Sequence, residues 1–205
     1  MKRPYIKLVI AFLVITALRD VTLVQYIRYA NAAASDFRQL GNAYGDSFSL
    51  GLSHKYTDIA QLNTLSVFFL VIATVLLVAY WLGLTSSRYL SRLQHYTDVQ
   101  RKVFIRAVRV LQIFFVVIAA SMAVVGLMEL NDSLESMRFY ASDNSLSMLH
   151  IDISQYYWDV ARNCMTVVYA ALYGTLWYLL TNHVIKTARS ATQASTDNPP
   201  VAQAV

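Results

Sequence analysis

Arg19 and Asp20 are the residues of this chain best placed to do chemistry, because they interrupt an apolar run that starts near Tyr5. On a helix counted from Tyr5, position 19 lies about 21 Å along the axis, inside the outer third of a bilayer's hydrocarbon. Charge at that depth is costly, and its standard uses are ion handling, substrate binding or helix pairing. Neighbouring residues leave a helix about 100° apart, so the two are not expected simply to neutralise each other. Glu129, Asp159 and Arg162 fall at similar height on later apolar runs and are the expected partners. Five residues of mixed sign at one level read as an ion-pair layer that fixes helix register. A pore for one ion sign more often carries a ring of like charge.

The other candidates are weaker. His54 and His150 each stand 27 positions before a tryptophan, Trp81 and Trp177. Brought together, with Asp152 nearby, they could ligate a metal through imidazole and carboxylate. No HxxxH or HxxE spacing on one helix supports that, and two solvated loop histidines are expected. His95 and His183 fall at the inner side, so no histidine sits deep enough to ligate a haem. Tyr169, Tyr173 and Trp177 make an i, i+4, i+8 stripe that could line a quinone or lipid pocket, but such stripes usually pack helices. Glu129, Asp132 and Glu135 read as a solvated acidic face. The single Cys164 excludes an intrachain disulfide or a CxxC pair. No nucleophile elbow, phosphate loop, zincin helix or dinucleotide fingerprint is present. Neither catalysis nor a cofactor or metal is expected.

The elements that must position these residues are membrane helices. The 205 residues are 57% hydrophobic and only 14% charged, against about 25% charged in soluble domains. Thr64–Leu84 holds 21 uncharged residues, enough to cross a hydrocarbon core of about 30 Å. Further spans are expected at about 5–26, 110–128 and 163–185. The first resembles a signal peptide in its basic start, but Arg19, Asp20 and Arg28 before the small residues near Ala32 argue for an uncleaved span. The segments taken as inner (1–7, 85–109, 183–205) hold 11 Lys and Arg against 2 Asp and Glu; the outer ones hold 6 against 10. That asymmetry places both termini in the cytoplasm. The net charge of +5 is thus a topology signal and not a nucleic-acid footprint. Arg88, Arg92, Arg101, Lys102, Arg106 and Arg109 form a block suited to anionic headgroups.

Helical spacing runs past the spans on the outer side, through Leu23, Ile27, Ala30 and Ala34 and through Leu130, Leu134 and Met137. Breaks are expected at Gly41, Gly45 and Gly51 and at the Ser-Asp-Asn-Ser cluster 142–145, with Ser53 capping the returning helix. The connector 85–103 is expected to extend span two. Ala119, Ala123 and Gly126 share one face of span three, and Ala170 and Gly174 have small-xxx-small spacing on span four. Tyr80, Trp81, Trp177 and Tyr178 are expected to mark the inner water boundary, and Tyr156, Tyr157 and Trp158 the outer one.

These features predict an all-α integral membrane fold, a four-span up-down-up-down bundle over residues 1–189, with a disordered tail at 190–205. The matched His-to-Trp spacings and the shared W-x-x-L-T ends suggest two repeated hairpins, about 5–98 and 103–188, each projecting outside the membrane. Four spans with basic inner connectors are similar in layout to immunity proteins against pore-forming bacteriocins, with no shared motif. The expected role is non-enzymatic: an accessory subunit or inhibitor in a bacterial inner membrane. Its expected partners are the lipid bilayer and another membrane protein or a second copy, with no nucleic acid. The alternative is a small channel or transporter subunit using the Arg19/Asp20 layer.

Overall fold

The computed structural model describes residues 5–86, 96–142 and 154–197, and all of its regular structure is helical. Four helices follow one another: α1 (Ile6–Tyr44), α2 (Ser47–Leu84), α3 (Asp98–Ser142) and α4 (Ser154–Asp197). Each is long and apolar enough to cross a membrane. At 1.5 Å per residue the 39 residues of α1 reach about 58 Å, nearly twice a hydrocarbon core, so the helices continue well beyond any span.

The turns differ from the sequence reading in an instructive way. Only Gly45 breaks the first hairpin, with φ of 63° in the left-handed region that closes α1. Gly41 stays helical and lets α1 and α2 nearly touch there; a Cβ at Gly41 would meet the Leu50 side chain at 2.6 Å. Gly51 is likewise helical. The cap of α2 is Asp46 and not Ser53. Its carboxylate accepts the Phe48 and Ser49 N–H groups at 3.1 Å and the Ser49 hydroxyl at 2.6 Å. The Ser49 hydroxyl, followed by the two N–H groups, holds the Asp46 carboxyl below its usual range. Ser53 is buried one turn further on and donates to the Ala34 carbonyl at 2.8 Å, tying the two helices together.

At the other end α2 stops at Leu84, and the Thr85 hydroxyl bonds back to the Trp81 and Leu82 carbonyls. Thr97 and Gln100 then form a reciprocal capping box at the start of α3. Arg101, expected in the lipid-facing basic block, is buried, pairs with Asp98 at 3.6 Å and donates to the Tyr96 carbonyl. Helix α4 continues through Ser190 to Asp197, into the stretch expected to be disordered. It ends just before Asn198-Pro199-Pro200, a sequence that disfavours helix in the residue preceding each proline. Arg88, Arg92, His95, His150, Asp152 and residues 198–205 lie outside the described residues.

Packing divides the helices into two kinds. Helix α1 packs on α2 and α4, and α4 packs on α1 and α3, while α2 and α3 barely meet. The core lies along α4, where Tyr169, Tyr173, Leu176, Trp177 and Leu180 are buried against Phe12 of α1, Leu77 and Trp81 of α2 and Phe115 of α3. The expected small-residue seam joins α3 to α4. A Cβ on Gly174 would stand 2.9 Å from the Ala119 methyl, and one on Gly126 would meet Val167 at 3.1 Å. Trp81 and Trp177 are core residues and not boundary anchors. Trp177 stacks on Phe115 with centroids 4.0 Å apart and leans on Tyr80 at 4.7 Å.

Candidate functional site

The five residues singled out from the sequence gather at one level of the bundle, near the start of α4 and part-way along α1 and α3, in two groups. In the first, Arg19 is buried on α1 and its guanidinium lies 3.5 Å from Asp20. The expectation that neighbouring residues cannot pair fails here, since an arginine is long enough to curl back across the 100° between them. The same guanidinium donates from Nε to the Thr166 hydroxyl of α4 at 3.3 Å and lies 5.2 Å from the Tyr169 ring centroid. Tyr169 in turn meets the Thr74 hydroxyl of α2 at 3.3 Å. One arginine thereby links α1 to α4, and through Tyr169 to α2.

The second group is centred on Arg162 of α4. It binds Asp159 at 2.8 Å and Glu129 of α3 at 3.2 Å, donates to the Asn63 amide oxygen of α2 at 2.8 Å, and covers the Tyr26 ring of α1 at 4.4 Å. Asp159 also accepts from the Ser133 hydroxyl, which receives the Asn163 amide at 3.1 Å. Arg162, itself on α4, therefore touches α1, α2 and α3 as well. Glu129 and Asp159 serve Arg162 and not Arg19, so the layer is two adjacent networks instead of one. Its formal balance is two cations to three carboxylates, and half-exposed Glu129 is the best solvated of the three.

Asn63, Ser133, Asn163 and Thr166 complete these networks and were missed in the sequence. Each stands near an end of an apolar run, where a neutral polar residue is ordinary. Only the arrival of an arginine from another helix gives it a role. The remaining candidates stay apart: His54 is exposed on α2, and His183 sits edge-on to Tyr5 at 6.3 Å. Among the described residues no three His, Cys, Asp or Glu side chains are placed to hold a metal. Tyr169, Tyr173 and Trp177 are buried helix packing.

Because α2 and α3 diverge, a cleft of about 570 Å³ opens between them over this layer. Its upper part carries Asn63, Glu129 and Arg162, with Arg19 and Thr166 below, and its lower part Leu70, Met122 and Val125. A smaller pocket of about 170 Å³ lies among Tyr26, Tyr29, Lys55 and Tyr56 nearer the tip of the first hairpin. No family model, characterised protein or solved structure matches this chain.

Proposed function

We propose that this chain is a non-enzymatic integral membrane protein that acts by binding or assembling with another membrane protein, as an accessory subunit or inhibitor. The observation that carries this reading is α3. Its apolar stretch is the least covered of the four, with Val110, Ile113, Phe114, Val117, Val124 and Met128 exposed. Such a face suits close packing by a foreign helix, which needs fit and no hydrophobic drive. The ion-pair layer supports a scaffold role, because its charges are spent on each other, within α1 and α4 and, at Arg162–Glu129, between α4 and α3. A photo-crosslinking residue at Val117 is expected to capture one partner chain in intact membranes. Capture of lipid alone there, and equally at exposed Val71 of α2, would overturn the reading.

The finer architecture belongs to the same proposal. An up-down-up-down course is supported by the contacts, since residue numbers rise on one helix as they fall on the next. Gln112 meets Asn182 while Glu129 meets Arg162; Tyr5 meets His183 while Arg19 meets Thr166. Cytoplasmic termini in a bacterial inner membrane are supported by the charge asymmetry. An impermeant thiol reagent should label Ser145→Cys and not Ser91→Cys in intact cells, each in a Cys164→Ser background; the reverse would invert the topology. The hairpin duplication is supported by Tyr80, next to Trp81, lying against Trp177. Packing gives it no second support, because α1 lies on α4 while α2 and α3, the equivalent pair under a twofold, barely meet.

A further inference from the structure

We infer that the basic end of the α3–α4 pair binds one anionic phospholipid carrying two phosphates. One phosphate meets Lys102, Arg106 and Arg109 of α3, and the other meets Lys186 and Arg189 of α4. This rests on the membrane placement of the helices and not on the protein partner proposed above.

Spacing and register bring the five cations to one face. Lys102, Arg106 and Arg109 stand at i, i+4 and i+7, which share a side of a helix, and Lys186 and Arg189 are three apart. All five are exposed. The close approaches of Gly174 to Ala119 and of Gly126 to Val167 fix the antiparallel register of the two helices. Carried to the basic end, that register sets Lys186 level with Ala107 and Arg189 level with Phe104, within the height of the α3 group. The sides agree as well. Phe115 and Trp177 stack on the core side of the seam. At about 100° per residue, both basic groups fall on the other side. The α3 group spans about 10 Å along its axis, and packed helices stand about 8–10 Å apart, so the two groups lie side by side.

These charges are not spent within the protein. Among the described residues none of the five takes part in an ion pair, whereas Arg101, buried on α3, has Asp98. The rest of the basic end cannot neutralise them either, because Asp98 and Asp197 are the only acidic residues in 85–109 and 183–205. The counter-charge must come from outside the chain.

Depth selects a lipid as its source. Exposed Val110 follows Arg109 directly, with exposed Ile113 and Phe114 a turn further on, and exposed Tyr178 stands two turns before Lys186. Cations at the edge of a lipid-facing apolar surface meet headgroups, and basic sites between helices on the cytoplasmic side suit anionic ones. Arginine's fork of donors suits phosphate oxygens. Two cationic groups on neighbouring helices favour two phosphates in one molecule, since the second docks intramolecularly once the first is bound.

The experiment is native mass spectrometry of the full chain, extracted from phosphatidylcholine vesicles containing cardiolipin and phosphatidylglycerol at equal phosphate. One cardiolipin should be retained per chain, preferred over phosphatidylglycerol by about tenfold. Lys186→Gln with Arg189→Gln, and separately Arg106→Gln with Arg109→Gln, should each bring the two lipids to parity by removing one phosphate's seat. All four positions are exposed, so both proteins should fold, and melting curves check this. Lys7→Gln, which removes an exposed cation at the same end of α1, should leave the preference unchanged. Equal retention of the two lipids by the unaltered protein, or undiminished preference in either folded double variant, would overturn the proposal. So would a preference lowered as much by Lys7→Gln as by the α4 pair, which would make it a matter of net charge. An acidic protein retained in place of any lipid, and released by the α4 pair, would overturn it too. Crosslinking at Val117 is read separately, so failure here leaves the partner reading standing.

Discussion

Helices α3 and α4 are both apolar enough to cross a membrane, yet they meet their surroundings in opposite ways. Helix α4 is the least apolar of the four and the most buried, and α3 is among the most apolar and the least buried. In a water-soluble protein that ranking would be inverted. In lipid an exposed leucine costs nothing, whereas an exposed hydroxyl or amide needs a partner, so polarity and not hydrophobicity marks the inside. Thr166, Tyr169, Asn163 and Thr181 therefore turn inward on α4, and Ile113, Phe114 and Val117 turn outward on α3.

The sharpest way to break this contrast is at Arg162, where all four helices depend on one side chain. Arg162→Ala strands Asp159 at the boundary and should cost about 3–5 kcal/mol, read as melting in mild detergent. Removing Asp159 as well should recover much of that. If the layer instead handles ions, Asp20→Asn would leave melting unchanged and abolish flux in liposomes. That outcome would replace the scaffold reading with a channel.

Aromatic truncation comes next. Phe12, fully buried on α1 against Tyr169 and Tyr173, should lose roughly 2 kcal/mol as alanine. That is less than the roughly 3–5 kcal/mol of a soluble core, because lipid supplies no transfer drive and only the cavity remains. Phe68→Ala on the outer face of α2 should leave melting where it was.

Two glycines should respond with opposite sign. Gly174→Ala drives a methyl to 2.9 Å from Ala119 and should destabilise the α3–α4 seam by about 1–2 kcal/mol. Gly51→Ala meets open space in a helix and should stabilise by about 0.5–1 kcal/mol. Equal shifts in thermal melting would mean that α4 is not tightly packed there.

The smallest effect is expected at the hairpin tip. Asp46→Ala should melt slightly earlier at neutral pH. Because the Asp46 carboxyl is held below its usual range, its contribution is present above the ordinary carboxylate pKa. It is lost as pH falls through the lowered value, so the two proteins should converge in acid. A gap that widened in acid would contradict the hydrogen bonds at the cap.

How far the sequence could be read follows from the same physics. Four long apolar helices, the small residues at Ala119, Gly126 and Gly174 and the five charged residues were legible because each stands out: an uncharged run, a charge among apolar residues, or small residues at helical spacing. The partners of Arg19 and Arg162 were not legible, since pairing depends on which helix lies beside which. The sequence cannot show that α1 lies on α4. The cap at Asp46 is not legible because three glycines compete for one turn, and the sequence does not show that Gly41 is used for close approach to Leu50 while Gly45 makes the turn.

The two-residue link Gly45–Asp46 has a mechanical consequence. Beyond Tyr26 the first hairpin continues for 18 residues of α1, a post about 27 Å tall. Its two strands of helix are fastened by the Ser53–Ala34 bond and the Phe37–Tyr56 stack, centroids 5.7 Å apart. With no slack at the tip and cross-ties along the shaft, a load on the tip is not absorbed by bending. It would pass down the shaft to the base, where Tyr26 lies under the Arg162 guanidinium.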